Sequence, residues 1–332
     1  MSDGLAAVLA IDGGNSKTDV AVIGWDGTVL AALRGPGASH EAYGIDGAMG
    51  RLGDMIAEVA DKAGLAGADG AVARHLSACL AGADLPEEEE ALTSALLARG
   101  WSESATALND TFAVLRGGVD EPWGVAVTCG AGINCVAVAP TGAVARYLSF
   151  GTLTGDWGGG GGLASAVMWH AMRGWDGRGP ETALGDAAAA CFGRNSVRDV
   201  AVAVHKGELS RSDLYRLTSV LFKVAADGDQ VAISLLERQA AEICAMATAA
   251  LRRIDLAPEG TPVVLGGGVL EARDPLLLAA IDRDLAATAP GAVARVLDAP
   301  PIAGAALLGL DHVGAGAVAH QRVRDHYRPG SA

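Results

Sequence analysis

Two glycine-loop hairpins of one plan, 117 residues apart from Gly13 to Gly130, constrain this chain more than any other feature. The first has an apolar strand over residues 9–11, the loop Asp12-Gly13-Gly14-Asn15-Ser16-Lys17-Thr18, an alternating strand over 19–23, a turn at Asp26-Gly27 and a third strand. The second has a strand over 125–128, the loop Cys129-Gly130-Ala131-Gly132, a return over 134–138, a turn at Pro140-Thr141-Gly142 and a strand from Val144. Glycines at such turns let backbone N–H groups converge on phosphate oxygens with no Cβ in the way. Either hairpin alone reads equally well as an ordinary glycine turn. A repeated strand–loop–strand unit also speaks for a duplicated architecture.

The segment after each loop excludes two commoner nucleotide motifs. A dinucleotide fingerprint or a Walker A loop feeds directly into a helix, whereas residues 19–24 and 134–139 alternate at period two. Walker A also fails in spelling, because Ser16 stands where a glycine should precede Lys17.

With 332 residues the chain has room for two domains, and with half of them apolar it has an ample core. Its 39 acidic against 25 basic residues give a net charge of −14, a field that disfavours nucleic acid and anionic membrane as partners. Phosphate ligands remain compatible with it, since backbone nests and Mg²⁺ supply local positive charge. No apolar stretch reaches roughly 18 residues, and the N-terminus lacks the basic region of a signal peptide, so the expected location is cytoplasmic. The five cysteines, Cys79, Cys129, Cys135, Cys191 and Cys244, form no C-x-x-C pair and read as small packing residues.

The first half continues with a loop over 35–44, a helix over 45–63, a strand over 74–80, a helix opened by Pro86 and a strand over 105–108. The acidic run Glu87 to Glu90 suits a solvated helix start better than a metal site. After the second hairpin come Gly158 to Gly162, alanine-rich helices between 164 and 256, a strand over 262–265, Gly266-Gly267-Gly268, a helix, a strand over 294–297 and a helix over 302–310. The basic tail HQRVRDHYR reads as a solvated helix end. Strands interleaved with helices in both halves predict two α/β lobes with a ligand cleft between them.

Three carboxylates stand out. Asp12 ends an apolar strand, where a carboxylate is costly without a partner and is placed to hold Mg²⁺ or its waters at phosphates. Asp110, in SATALNDTFAVL, either accepts a proton from an attacking hydroxyl or N-caps the following helix, and position alone favours the cap. Asp156, in GTLTGDWGGGGG, either stabilises a turn or binds a polyhydroxylated ligand.

The order of the DGG hairpin, NDT, TCGAGINC, GTLTGDWGG and VVLGGGV resembles the N-acetylglucosamine kinases of the BadF/BadG/BcrA/BcrD ATPase group, within the actin, sugar-kinase and heat-shock-ATPase superfamily. The resemblance spans nearly the whole chain. It implies an α/β fold of two ribonuclease H-like lobes of the actin/hexokinase type, with ATP in the interdomain cleft. The N-terminal lobe would be residues 1–118, completed by a C-terminal helix over 314–328, and the C-terminal lobe 119–313. It further implies an ATP-dependent kinase for an amino sugar, N-acetylglucosamine to its 6-phosphate as the leading case, with ATP and Mg²⁺ as cofactors and a homodimer as the assembly.

Residue by residue, the resemblance makes Asp12, Gly13, Gly14, Asn15, Ser16, Lys17 and Thr18 the first phosphate loop, with Asp12 on Mg²⁺ through water. Gly130, Ala131 and Gly132 become the second, and Gly266, Gly267 and Gly268 lie against adenosine. Asp110 is the base acting on the sugar 6-hydroxyl, while Ser39, His40, Phe150, Gly151, Thr152 and Asp156 hold the sugar. Departures cluster on the acceptor side. Ser39 stands for an asparagine of the eukaryotic enzymes, Glu41 for their tryptophan and Trp157 for an acidic residue, and Ala131 replaces a threonine in the second phosphate loop. The alternatives are a kinase for another amino sugar such as glucosamine, an iron–sulfur dehydratase activator, and a nucleotide sensor on the same fold. The cysteine-rich zinc motif of ROK-family sugar kinases does not occur here.

Overall fold

The computed structural model describes residues 4–65, 70–328 and 330. Its strands are β1 (Ala6–Gly13), β2 (Lys17–Ile23), β3 (Val29–Pro36), β4 (Ala73–Leu80), β5 (Ser102–Asn109), β6 (Gly124–Cys129), β7 (Ile133–Val138), β8 (Val144–Arg146), β9 (Pro262–Gly266) and β10 (Val293–Val296). They form two five-stranded sheets, ordered β3-β2-β1-β4-β5 and β10-β9-β6-β7-β8. In each, the first three strands are antiparallel and the last two join the first in parallel. The duplicated hairpin is therefore the start of a duplicated ribonuclease H-like sheet.

Chain contacts divide the molecule into two compact units. One holds everything up to Trp123 together with the chain from Leu297 on; the other is Gly124–Val296. The helix over Pro301–His312 thus lies in the first unit, where the sequence had placed only 314–328.

In the first unit the central strand β1 is buried from Ala6 to Ile11, as a strand covered on both faces must be. Its alternate side chains serve two cores. Leu9 and Ile11 face Leu52, Ile56 and Val59 of the helix His40–Lys62 and Leu92 and Leu96 of the helix Pro86–Ala98. Val8 and Ala10 face Ala113 of the helix Asp110–Gly118 and Ile302, Leu307 and Leu310 of the helix Pro301–His312. The last two helices cross closely enough that a Cβ on Gly304 would sit 1.9 Å from the Ala113 carbonyl oxygen.

Two sequence readings need correcting. The basic tail is docked: within the helix Ala317–His326, Val323 is fully buried and Arg324 donates to the Val119 carbonyl at 2.6 Å. The acidic run is more than a solvated helix start, since Glu89 is buried and accepts the Asn109 N–H at 2.9 Å.

In the second unit a long helix, Gln230–Arg253, buries Leu235, Leu236, Gln239, Ala240, Ile243 and Ala247 on one face. It packs on the helix Pro275–Thr288 and on β6 and β7. The helix Gly159–Trp175 begins against the second hairpin loop. Among the described residues no helix is long and apolar enough to cross a membrane.

Candidate functional site

In the first unit, the carboxyl ends of the parallel strands β1, β4 and β5 bring Asp12, Leu80 and Asn109-Asp110 to one edge of the sheet. Ligands bind at this edge in open α/β sheets. The loop after β1 closes tightly, with the Gly14 N–H donating to the Lys17 carbonyl at 3.0 Å and Asn15, Ser16 and Lys17 exposed. A Cβ on Gly13 would meet Leu80 Cδ2 at 2.6 Å, so the Leu80 side chain would have to shift to admit one. Thr18 is fully buried, and its hydroxyl has no partner among the described residues.

The chain leaving β3 crosses this loop so closely that a Cβ on Gly37 would stand 2.1 Å from the Asn15 carbonyl oxygen. That crossing carries Ser39 and His40 into one narrow crevice with Gly13, Leu80 and Ala81. Ser39 precedes the helix His40–Lys62, but its buried hydroxyl makes no capping bond and has no partner among the described residues.

Asp110 is the residue whose two sequence readings the structure separates. Asn109 takes the capping role: its Oδ1 accepts the Thr111 N–H at 3.0 Å and the Thr111 hydroxyl at 2.6 Å. Asp110 is the first residue inside the helix, and the reading that favoured it as the cap is wrong. Burial pushes the Asp110 carboxyl up to about 6, against the pull of the Thr111 N–H. Burial, and then the neighbouring Asp110 and Asp19 charges, push Asp12 up to about 7, with Lys17 and Arg34 acting the other way. Arg34 itself grips Asp19 with two bonds of 2.7 and 2.8 Å.

Sequence reasoning missed Asp84. Burial first, then Asp110, Glu41 and Glu88, raise its carboxyl to about 7, while a 2.8 Å bond from Asn109 Nδ2 lowers it. Three carboxyls held above their ordinary range at one edge are what a bound cation would relieve. The all-oxygen donor set suits Mg²⁺, with Asp12 as the holding residue. Among the described residues no group of three or more His, Cys, Asp or Glu side chains converges to hold a metal ion.

In the second unit the loop Cys129 to Gly132 is braced from behind. The Gly160 and Gly161 N–H groups donate to the Gly130 and Ala131 carbonyls at 2.8 Å each. Gln239 Oε1 accepts the Gly159 N–H at 3.0 Å, and its Nε2 lies 3.8 Å from Cys129 Sγ. With the loop carbonyls turned to the helix, the loop N–H groups are the ones left for an anion. Two glycines of the run are sterically forced: a Cβ at Gly158 would meet Gln239 Oε1 at 2.4 Å, and one at Gly159 the Gly132 carbonyl oxygen at 2.2 Å.

Gln239 was also missed, although a polar residue at a core position of an apolar helical face was the available signal. Gly267, at φ 87°, presses on the same loop from the other side, where a Cβ would stand 2.5 Å from the Cys129 carbonyl oxygen. Gly266 ends β9 and Gly268 opens the next helix.

Of the expected sugar residues, Gly151, Thr152 and Asp156 line one cavity of about 700 Å³ with Ala131 and Gly132. Phe150 does not line it; its N–H donates to Thr154 Oγ1 at 2.9 Å. The Thr154 hydroxyl donates in turn to Asp156 Oδ2, and the Asp156 N–H donates to the Gly151 carbonyl at 3.0 Å. The turn-stabilising reading of Asp156 therefore holds, and its Oδ1 makes no hydrogen bond among the described residues.

Four of the five cysteines are buried, and burial raises the Cys79, Cys129, Cys135 and Cys244 thiols well above their ordinary value. They pack.

With this geometry in place, comparison with known proteins decides the family, matching it over residues 9–309. The chain belongs to the BadF/BadG/BcrA/BcrD ATPase family. Among relatives of this family member, an N-acetylmuramic acid/N-acetylglucosamine kinase of Clostridium acetobutylicum is 24% identical over 276 residues, covering 79% of this chain and 85% of the relative. A crystal structure of a candidate N-acetylglucosamine kinase from Chromobacterium violaceum superposes with a TM-score of 0.72 at 22% identity, over 92% of this chain and 99% of that one. A ROK family glucokinase of Streptomyces griseus, solved with glucose and AMPPNP, superposes with a TM-score of 0.56 at 16% identity, over 93% and 99%. At those identities the superpositions establish the fold, two ribonuclease H-like units of the actin-like ATPase type.

Proposed function

We propose that this family member is an ATP-dependent sugar kinase acting on an amino sugar, with N-acetylglucosamine to N-acetylglucosamine 6-phosphate as the leading case. The observation that carries the reading is Asp110: a buried carboxyl, freed from capping by Asn109 and held near pKa 6, is what a general base needs near neutral pH. The named relatives and the family support the same class.

In this reading Asp110 orients the acceptor hydroxyl and takes its proton as the oxygen attacks the γ-phosphorus of ATP. The bond from that phosphorus to the β,γ-bridging oxygen breaks, and ADP leaves with the electron pair. The backbone N–H groups of Gly13 to Ser16 and of Gly130 to Gly132, with Lys17, hold the phosphates. Gly266 to Gly268 accommodate adenosine, in Gly267's case by backbone alone. Ser39, His40, Gly151, Thr152 and Asp156 hold the sugar, with Phe150 beside them. Mg²⁺ held at Asp12 would neutralise phosphate charge.

ADP release from MgATP across N-acetylglucosamine, glucosamine, N-acetylmannosamine, glucose and an anhydro-amino sugar tests the reading. Strong stimulation by an amino sugar is expected. A rate indifferent to every sugar would overturn it in favour of a nucleotide sensor.

A further inference from the structure

Arg116 is 4% exposed, a setting in which a guanidinium is costly unless its donors are matched. It lies near the end of the helix Asp110–Gly118 and reaches across to the helix Pro301–His312. There its Nε and Nη2 hold both carboxylate oxygens of Asp311, 195 positions along the chain, at 2.6 and 3.0 Å. Its Nη1 turns back to the Val119 carbonyl at 3.0 Å and closes the exit of its own helix. Asp311 is also held from a third element, since His320 Nε2 lies 2.8 Å from its Oδ1. Arg324, on the same helix Ala317–His326, donates to the Val119 and Gly117 carbonyls at 2.6 and 3.4 Å. Three helices are thus tied together at the end of the helix remote from Asp110.

Stability alone gives no reason for this pair. Apolar side chains of similar volume hold buried helices together at least as well, and the best-attested use of buried polar groups is to fix register. The helix Asp110–Gly118 needs such a fix. With nine residues and two closing glycines it has little helical stability of its own. It crosses its neighbour through Ala113 against Gly304, a close contact of two small residues that offers no ridge against sliding. A bidentate fork defines both distance and angle. Asp110 stands six residues from Arg116, about 9 Å along the helix axis, so the fork sets where the carboxyl is carried.

We propose that Arg116 and Asp311 are positioning residues of the phosphoryl transfer, which hold the helix Asp110–Gly118 in the register that brings the Asp110 carboxyl to the acceptor hydroxyl. This rests on the reading of Asp110 as the base and extends it to the C-terminal helices.

The test compares full-length wild type, Asp311→Asn, Asp110→Asn and the variant carrying both, at saturating MgATP and N-acetylglucosamine, with nucleotide affinity measured alongside and thermal melts to verify folding. Asp311→Asn keeps the shape and removes the charge that the fork grips. Its kcat should fall roughly 10- to 100-fold with nucleotide affinity unchanged, as expected for a catalytic group displaced by about 1 Å. The variant carrying both changes should turn over no more slowly than Asp110→Asn, because a positioning residue then has nothing left to position. Losses from a merely loosened fold would multiply instead. Arg116→Met/Asp311→Leu, which replaces the pair by apolar side chains, should melt near wild type yet stay as slow as Asp311→Asn. It also supplies the comparison if Asp311→Asn does not fold.

Wild-type turnover in Asp311→Asn, or losses that multiply with those of Asp110→Asn, would overturn the proposal and leave the kinase reading standing. Full turnover in Arg116→Met/Asp311→Leu would overturn it too, by reducing the pair to a structural tie. Wild-type turnover in Asp110→Asn would sink the reading of the base itself, and this proposal with it.

Discussion

Asn109 donates from Nδ2 to the Asp84 carboxylate at 2.8 Å while its Oδ1 caps the helix that Asp110 begins. One side chain thus holds two of the three raised carboxyls in register. Asn109→Ala should cost about 1–3 kcal/mol, from the lost cap and the stranded partners, and lower turnover as Asp110 loses its seat. Urea unfolding and a sugar-dependent rate, measured on the same preparation, check both parts.

Stability should carry the opposite sign at Asp110 itself. Its folded-state pKa, about 6, lies above the ordinary 3.8, so the native state binds more protons than the unfolded chain between those values. Stability from this group therefore falls as pH rises from about 4 to 6, and the full penalty remains above that. Asp110→Asn, which keeps the shape without the charge, should be more stable than wild type at pH 8, by at most about 3 kcal/mol, and the gain should vanish near pH 4. Melting curves of the two proteins at both pH values suffice, and a gain of the same size at pH 4 would count against the assignment.

The rate should follow the same titration in the other direction. A base must be ionised to act, so kcat/KM should rise with pH through an apparent pKa near 6 to 7. The value belongs to the coupled set of Asp12, Asp84 and Asp110 rather than to one of them. A pH–rate profile flat from 5 to 8 would remove Asp110 from the proton transfer.

Gln239 is fully buried and receives the Gly159 N–H. Gln239→Ala strands that N–H and loosens the brace behind Gly130 to Gly132. The expected loss is about 1–3 kcal/mol of stability, together with a raised KM for ATP. An effect on KM for the sugar alone would mean that the loop does not hold phosphate.

Much of the fold was legible in the sequence because duplication and period-two alternation survive without tertiary information. Both hairpins, the glycine loops and the strands at 74–80 and 262–265 lie where the pattern placed them. The cap at Asn109 was hidden because Asn and Asp are equally good caps, and only the backbone says which of two neighbours takes the role. Glu89 looked like one of four equivalent glutamates until the helix turned it inward to Asn109. The return of Pro301–His312 to the first unit had no local signal at all, since an apolar helix fits either core. At the cavity of the second unit, Asp156 announced itself by its glycine-rich setting, whereas Arg238 lies 82 positions along the chain and lines the same cavity only through the fold.

The most direct test is sugar-stimulated ADP release by wild type and Asp110→Asn at saturating MgATP and saturating N-acetylglucosamine, with nucleotide affinity measured alongside. The account predicts a fall in turnover of about 10²- to 10⁴-fold with nucleotide binding retained. Equal rates in the two proteins would contradict it.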